Sequence, residues 1–425
     1  MIRNLLPISA LLLGSALLLF AGGVNSLVLP VRGAAEGFSA FSLGLLGTGW
    51  ALGYVIGCLF APGLVSRVGH IRAFTVMAAL AAVAILASLI LLTPVAWIPL
   101  RALSGFCFAG AAMIVESWLS ERTDAANRGK VFGAYTMVNL AASTGGQLAL
   151  TLAAPDGPLF FVLGAIFYCL ALVPIAISSS QSPKPLVKVR LDLRSLWRNS
   201  PVAVFGVLMI GISNGAFGTL AAVYANRIGL ELTQVALFAS LPVLAGAIAQ
   251  IPVGFLSDRL DRRKVLVGLS VLAVIADAAF IVIAPLDLWT NMALAALFGA
   301  SIFSMYPVIV AHANDHADVD AFIQTSGGLL LVFGIGAIVG PLIAGFGMSQ
   351  SAPSGLFVTT IVAHLLMIAY TFRRIAKRKP VQRDRKVAFV ATPPGRTATP
   401  ETAAFSSGQS EDLGPDPDGQ PPRQE

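Results

Sequence analysis

Twelve apolar runs, each long enough to cross a bilayer as a helix, leave this chain of 425 residues few choices of fold. They lie at about residues 5–29, 40–65, 73–93, 95–119, 131–153 and 158–178, and then at 201–226, 233–257, 265–284, 289–312, 322–347 and 353–372. In hydrocarbon, backbone N–H and C=O groups must find partners within the protein, so such runs predict an all-α membrane protein with twelve transmembrane helices. Composition agrees. Hydrophobic residues make up 56% and charged ones 12%, a balance that a soluble core of this length does not call for. The first run extends to Leu29, too far for a cleaved leader, and is read as the first span. Cys58, Cys107 and Cys169 all lie inside apolar runs, as small buried side chains rather than a disulfide framework.

The basic residues set the orientation. Of 28 Lys and Arg, Arg32 and Arg227 fall in loops on one side and Arg101 lies within a span. The other 25 (28 − 3) fall on the second side, which the positive-inside rule makes cytoplasmic, with both termini there. The net charge of +7 is thus distributed as membrane-surface clusters. Without aromatic residues interleaved for stacking, it does not predict nucleic-acid binding.

The chain repeats itself. Gly37-Phe38-Ser39 aligns with Gly229-Leu230-Glu231 at an offset of 192 residues (229 − 37), and Gly105 with Gly299 at 194 (299 − 105). Ile114-Val115 aligns with Ile309-Val310, and Gly145 with Gly340, both at 195. The division expected is a six-helix half at 1–178, a cytoplasmic linker at 179–200, a second half at 201–373 and a tail at 374–425. The linker holds two prolines and five basic residues and has room for a short surface helix. The tail is rich in Pro, Arg, Thr, Ser and acids without hydrophobic period, and is expected to be disordered.

Between the eighth and ninth runs stands Gly254-x-x-x-Asp258-Arg259-x-x-Arg262-Arg263, with Asp261 before the basic pair. It resembles the loop signature of the major facilitator superfamily. A weaker copy, Ser66-Arg67-Val68-Gly69-His70-Ile71-Arg72, has Ser66 in place of the acid. Arg101-Ala-Leu-Ser104-Gly105 in the fourth run resembles the superfamily's fourth-helix motif, associated there with the cavity and proton coupling. Stretches around Glu116, Asn127 and Tyr306 look like the YcaD-like bacterial branch. The resemblance covers roughly residues 1–375. It implies two six-helix repeats, a midplane site between them and alternating access.

Candidate substrate or coupling residues are Asn25, Arg101, Glu116, Asn139, Gln147, Asn214, Gln250, Tyr306 and Gln324. Each has a plainer reading. The amides can be interhelical glue, Arg101 can snorkel outward, and Glu116 can pair with Arg67, Arg72 or Arg128. The resemblance implies a cytoplasmic gate at the loop positions Arg67, Arg72, Asp258, Arg259, Arg262 and Arg263, with Asp258 expected against the start of helix five near Lys130 to Gly133. Asp277 lies on a helix that the resemblance places outside the cavity, and reads as structural. His312 and His316 have a spacing that metals can use, but the default beside Asp318 and Asp320 is a solvated helix end, so no metal is assigned.

No Gly-x-x-x-x-Gly-Lys-Ser/Thr stretch cradles phosphate, so an ATP-driven pump and other cofactors are not indicated. The reading is a non-enzymatic, monomeric transporter of a small molecule in the bacterial inner membrane, secondary active or facilitative, with proton coupling left open. The alternative is a non-transporting sensor or adaptor on the same fold.

Overall fold

The computed structural model describes residues 2–123, 127–154, 157–177, 192–317, 321–350, 352–382, 386–392 and 398–402. Within these the chain forms α1 (Ile2–Ala35), α2 (Ala40–Val68), α3 (His70–Ile90), α4 (Pro94–Glu121), α5 (Arg128–Leu148), α6 (Leu159–Leu170) and α7 (Leu172–Ile177). A short α8 (Leu193–Asn199) precedes α9 (Pro201–Arg227), α10 (Leu232–Arg259), α11 (Arg262–Val282), α12 (Leu288–Asn314), α13 (Phe322–Gln350) and α14 (Gly355–Ile375). Among the described residues, eleven helices are long and apolar enough to cross a membrane, with α6 and α7 forming one continuous span. The fifth expected span, α5, is not among the eleven. Asn139, Ser143, Thr144, Gly145, Gly146 and Gln147 dilute its apolar content, as befits a helix that turns toward polar groups rather than lipid.

The internal repeat is visible down to single backbone angles. Gly37 has φ +78° and Gly229 φ +86°, a left-handed conformation that glycine adopts without steric cost. Each glycine closes a tight turn: Phe38 N–H donates to Gly33 O at 2.8 Å and Leu230 N–H to Ala225 O at 3.1 Å. The next helix then starts on a side-chain cap. The Ser39 hydroxyl accepts from Ser42 N–H at 3.1 Å, and Glu231 and Gln234 form a reciprocal capping box. Both turns lie on one face of the bundle. The other face carries α8 and the loop between α10 and α11, and is called the linker face below.

Helix crossings repeat as well. A side chain at Gly105 would meet Trp50 O of α2, and one at Gly299 would meet the Pro242 backbone of α10, where Trp50 and Pro242 are themselves 192 apart (242 − 50). Gly146 of α5 abuts Phe20 O of α1, and Gly340 of α13 abuts Ile212 O of α9. The spatial counterpart of Gly340 is therefore Gly146, at an offset of 194 (340 − 146), not Gly145 as the sequence comparison has it. Small residues at these crossings let backbones touch, which matters in lipid because burying apolar surface there supplies little driving force.

The two helix sets meet along α2 and α13, and this seam is one-sided. Gly44 lies against Pro341 O, Gly345 against Ala40 O and the Phe41 backbone, and Gly334 against the Val55 side chain. Phe41 N–H donates to Ser349 Oγ at 2.9 Å, and Thr48 Oγ1 donates to Ile338 O at 2.8 Å. These contacts run from the start of α2 to its middle and from the middle of α13 to its end, leaving the linker-face ends of both helices out of the seam. Toward the linker face, residues 386–392 and 398–402 lie among the helices instead. Of the tail expected at 374–425, residues 374–382, 386–392 and 398–402 are described, and 383–385, 393–397 and 403–425 lie outside the described residues.

The crossings predict a contrast between two glycines. Gly299→Ala places a methyl group on the Pro242 backbone and should lower thermal stability in detergent by about 1–3 kcal/mol, the cost of overpacking. Gly268→Ala in α11 meets open space and should leave stability unchanged or slightly raised. Equal effects would show that the crossings are not close-packed.

Candidate functional site

The cavity at the linker face is built around Glu116, 1% exposed on α4. A buried carboxylate needs donors for its lone pairs, and here all the directly bonded ones are hydroxyls. Tyr135 of α5 donates at 3.0 Å, Thr402 at 2.8 Å, and Thr399 closer still. The Tyr135 hydroxyl is also within bonding reach of Asn139 and Ser15, and Ser15 Oγ donates to Asn139 Oδ1 at 2.8 Å. A polar chain thus runs from α1 through α5 to α4. Of the arginines expected beside Glu116, namely Arg67, Arg72 or Arg128, Arg67 and Arg72 are exposed and have turned outward.

On the facing wall stand Gln250 of α10 and Tyr306 of α12, 5% exposed each. The Gln250 amide accepts from Thr392 N–H at 3.0 Å and donates to Thr392 O at 3.1 Å and to Phe303 O at 3.4 Å. Tyr306 packs edge-on against Phe333 at 5.5 Å and lies near Cys58 of α2. Tyr306 lines a cavity together with Thr392, Thr399 and Thr402, the residues to which Gln250 and Glu116 are bonded, and Asn139 stands behind Tyr135.

The other candidates are elsewhere. Arg101 and Asn25 are buried inside the first helix set around Tyr168, which bonds Asn25 and lies beside the guanidinium. Arg101 is 6% exposed. Asn214 is 1% exposed, and neither of its amide atoms finds a partner among the described residues. Gln147 sits where α5 crosses α1 at Gly23, and Gln324 is half-buried at the start of α13.

The loop signature is assembled differently from expectation. Asp258 is bonded away from the start of α5. It pairs with Arg262 at 3.3 Å and accepts Phe389 N–H at 3.1 Å. Gly129 and Gly133 at the start of α5 face open space, because the linker-face ends of the two helix sets stand apart. Gly254 receives the Phe389 ring. Arg262 is 1% exposed and forms a buried pair with Asp315 at 2.7 Å, assisted by Ser257 Oγ at 2.9 Å. Arg263 clamps Asp261 at 2.7 Å and donates to Arg374 O in the last turn of α14 at 3.4 Å and to Arg378 O just beyond it at 2.8 Å. Burial alone would raise the Asp261 carboxyl, but the Arg263 guanidinium and backbone N–H hold it below its usual value. Arg259 is exposed and lies over the Phe255 ring at 3.6 Å.

Two further sequence assignments are placed. Asp277 of α11 accepts from Thr360 at 2.7 Å and contacts His364 Nδ1 of α14 at 3.1 Å, both sealed between outer helices. It ties α11 to α14, as the structural reading has it. His316 Nδ1 lies 2.9 Å from His312 O, so that nitrogen is turned to the backbone; Asp318 and Asp320 lie outside the described residues.

The Major Facilitator Superfamily model matches residues 11–242 and 203–408. The chain belongs to that superfamily. It is 26% identical over 400 residues to a protein of Yersinia pestis (strain Pestoides F) named "Uncharacterized MFS-type transporter", covering 90% of this chain and 98% of that one. Identity to YcaD of Escherichia fergusonii, named likewise, is 25% over 357 residues, covering 83% and 91%. Among solved structures, the nucleoside transporter NupG superposes with a TM-score of 0.70 at 13% identity, covering 88% and 99% of the chains. A bacterial homolog of the human lysosomal transporter Spinster, in an inward-facing and occupied conformation, gives 0.69 at 15%, covering 89% and 97%. At these identities the solved structures speak for the fold.

The sequence reading missed Ser15, Tyr135, Thr399 and Thr402. The last two carried a legible sign: Thr399-Pro400-Glu401-Thr402 has a helix-capping residue followed by proline at the first helical position.

The Arg262–Asp315 pair predicts a stability effect. Asp315→Ala strands a buried guanidinium, which costs about 3–5 kcal/mol in such pairs, and the lower end is expected because Asp258 remains. Thermal unfolding in detergent measures it. A loss no larger than that of an exposed control such as Lys264→Ala would mean the pair is solvated.

Proposed function

We propose that this chain is a secondary transporter that moves a small molecule across a bacterial inner membrane by alternating access. The observation that carries the reading is the one-sided seam. Two helix sets of matching construction are closed along α2 and α13 at one face and parted at the other around Glu116, Gln250 and Tyr306. Rocking about that seam would present the same groups to either side. The positive-inside bias supports a cytoplasmic linker face and cytoplasmic termini, so this conformation is the inward-facing one. Superfamily membership and relatives named as transporters support transport as the activity.

In this reading Glu116 is the cavity's acidic group, and the Ser15–Asn139–Tyr135 chain orients it from behind. Gln250 supplies an amide with one donor edge and one acceptor edge, and Tyr306 supplies an apolar wall with a hydroxyl. Such a set suits a small polar molecule bearing a donor toward Glu116. Glu116 is also the cavity group that could exchange a proton during the cycle.

The test starts with a thermal-shift screen of purified protein against metabolites and drugs, since a ligand stabilises by mass action. Counterflow of any hit in proteoliposomes should be saturable and should fall in Gln250→Ala and Tyr306→Phe. Ligands that bind with no flux would make the chain a sensor instead. Orientation is checked in a chain whose three cysteines are serine. A membrane-impermeant maleimide should label Ala35→Cys in intact cells and Lys264→Cys only after permeabilisation. The reverse pattern would invert the assignment.

A further inference from the structure

We propose that residues 386–392 and 398–402 are a tethered ligand of the linker-face cavity, a plug formed by the chain's own C-terminal segment. The segment is held by its backbone at three successive points. Val387 N–H donates to Asp315 Oδ1 at 2.9 Å, while Val387 O accepts from Arg262. Phe389 N–H donates to Asp258 at 3.1 Å. Thr392 exchanges both of its backbone bonds with Gln250. These are directional bonds made to a particular register, unlike the loose adhesion of a basic tail.

Side chains lock that register. Lys386 Nζ donates to the final carbonyls of α10, with Ser257 O at 3.1 Å and Leu260 O among its partners. The Phe389 ring fills the space left by the absent side chain of Gly254; a Cβ there would lie 2.5 Å from its Cδ1. Deeper in, Thr399 and Thr402 cap each other. Thr399 N–H donates to Thr402 Oγ1 at 2.8 Å, and Thr402 N–H donates to Thr399 Oγ1 at 3.2 Å. Each hydroxyl accepts one of these bonds and gives its proton to Glu116. Tyr54 of α2 adds a bond to Ala398 O at 3.0 Å.

Two consequences follow from where these bonds fall. Tyr54 and Glu116 belong to the first helix set, and Gln250, Asp258 and Asp315 to the second, so the segment stands between sets that would have to approach for this face to close. The cavity left beside it, lined by Tyr306, Asn314, Ser326 and the segment itself, measures about 220 Å³. That is below the roughly 300–1,000 Å³ of sites that take a drug-sized ligand. The plug also takes the groups that the loop signature offers, Gly254, Asp258 and Arg262 together. Its effect on transport rests on the function proposed above; its occupancy of the cavity does not.

The test uses a fluorescein-labelled peptide spanning 386–402 and three purified proteins: the full chain, a chain ending at residue 382, and a full-length Phe389→Ala/Thr399→Val/Thr402→Val variant. A tether supplies its ligand at an effective concentration on the order of millimolar, so the intact chain should exclude the free peptide. Fluorescence anisotropy should show binding to the truncated chain and the triple variant, and at least tenfold weaker binding to the full chain. A peptide carrying the three substitutions should bind the truncated chain at least tenfold more weakly. The full-length variant keeps the test valid if truncation harms folding, which size-exclusion elution reports. Equal binding to all three proteins, or binding to none, would overturn the proposal whether or not the protein transports anything.

Discussion

Backbone-to-backbone contact between helices is the constraint on which the rest of this structure depends. In lipid an apolar face gains little from turning inward, so helices associate through close packing and polar bonds. Glycine supplies the close packing at equivalent places in both helix sets: Gly105 on Trp50 and Gly299 on Pro242, Gly146 on Phe20 and Gly340 on Ile212. The same device joins the sets at Gly44 and Pro341. That joint leaves out the linker-face ends, where Gly129 and Gly133 meet open space.

The cavity then poses an accounting problem for polar groups. A carboxylate as buried as Glu116 is costly without donors, and the helices supply Tyr135 but not enough to saturate it. The remaining donors come from Thr399 and Thr402. Gln250 is in the same position, completed by Thr392. Both residues gain partners from the C-terminal segment, and in the proposed cycle a substrate that used them would displace it. That is the physical link between the helix bundle, the C-terminal segment and the proposed transport cycle.

Most of the fold was legible in the sequence because lipid imposes local rules. Apolar runs mark spans, and Gly37 and Gly229 mark equivalent turns with the same left-handed backbone. The weak point was α5, whose polar face lowers its hydropathy because it turns inward toward Glu116 and Ser15. Of the site, Glu116, Asn139, Gln250 and Tyr306 were legible as polar residues in apolar surroundings. What brings them together was not. Arg101 and Asn25 satisfy the same criterion and lie elsewhere, around Tyr168. The C-terminal segment was illegible for a further reason: its order comes from bonds to Asp258, Gln250 and Glu116, up to 286 residues away in sequence, and no local periodicity records such bonds. Only the capping pattern at Thr399 gave a local sign.

Backbone amide hydrogen exchange of the intact protein, read by mass spectrometry over peptides from residues 386 to 402, tests the central claim most directly. The N–H groups of Val387, Phe389, Thr392, Thr399 and Thr402 all have acceptors in this structure. The account predicts that these positions exchange much more slowly than in the free peptide and lose that protection in Phe389→Ala/Thr399→Val/Thr402→Val. Exchange at free-peptide rates in the unaltered chain would contradict it.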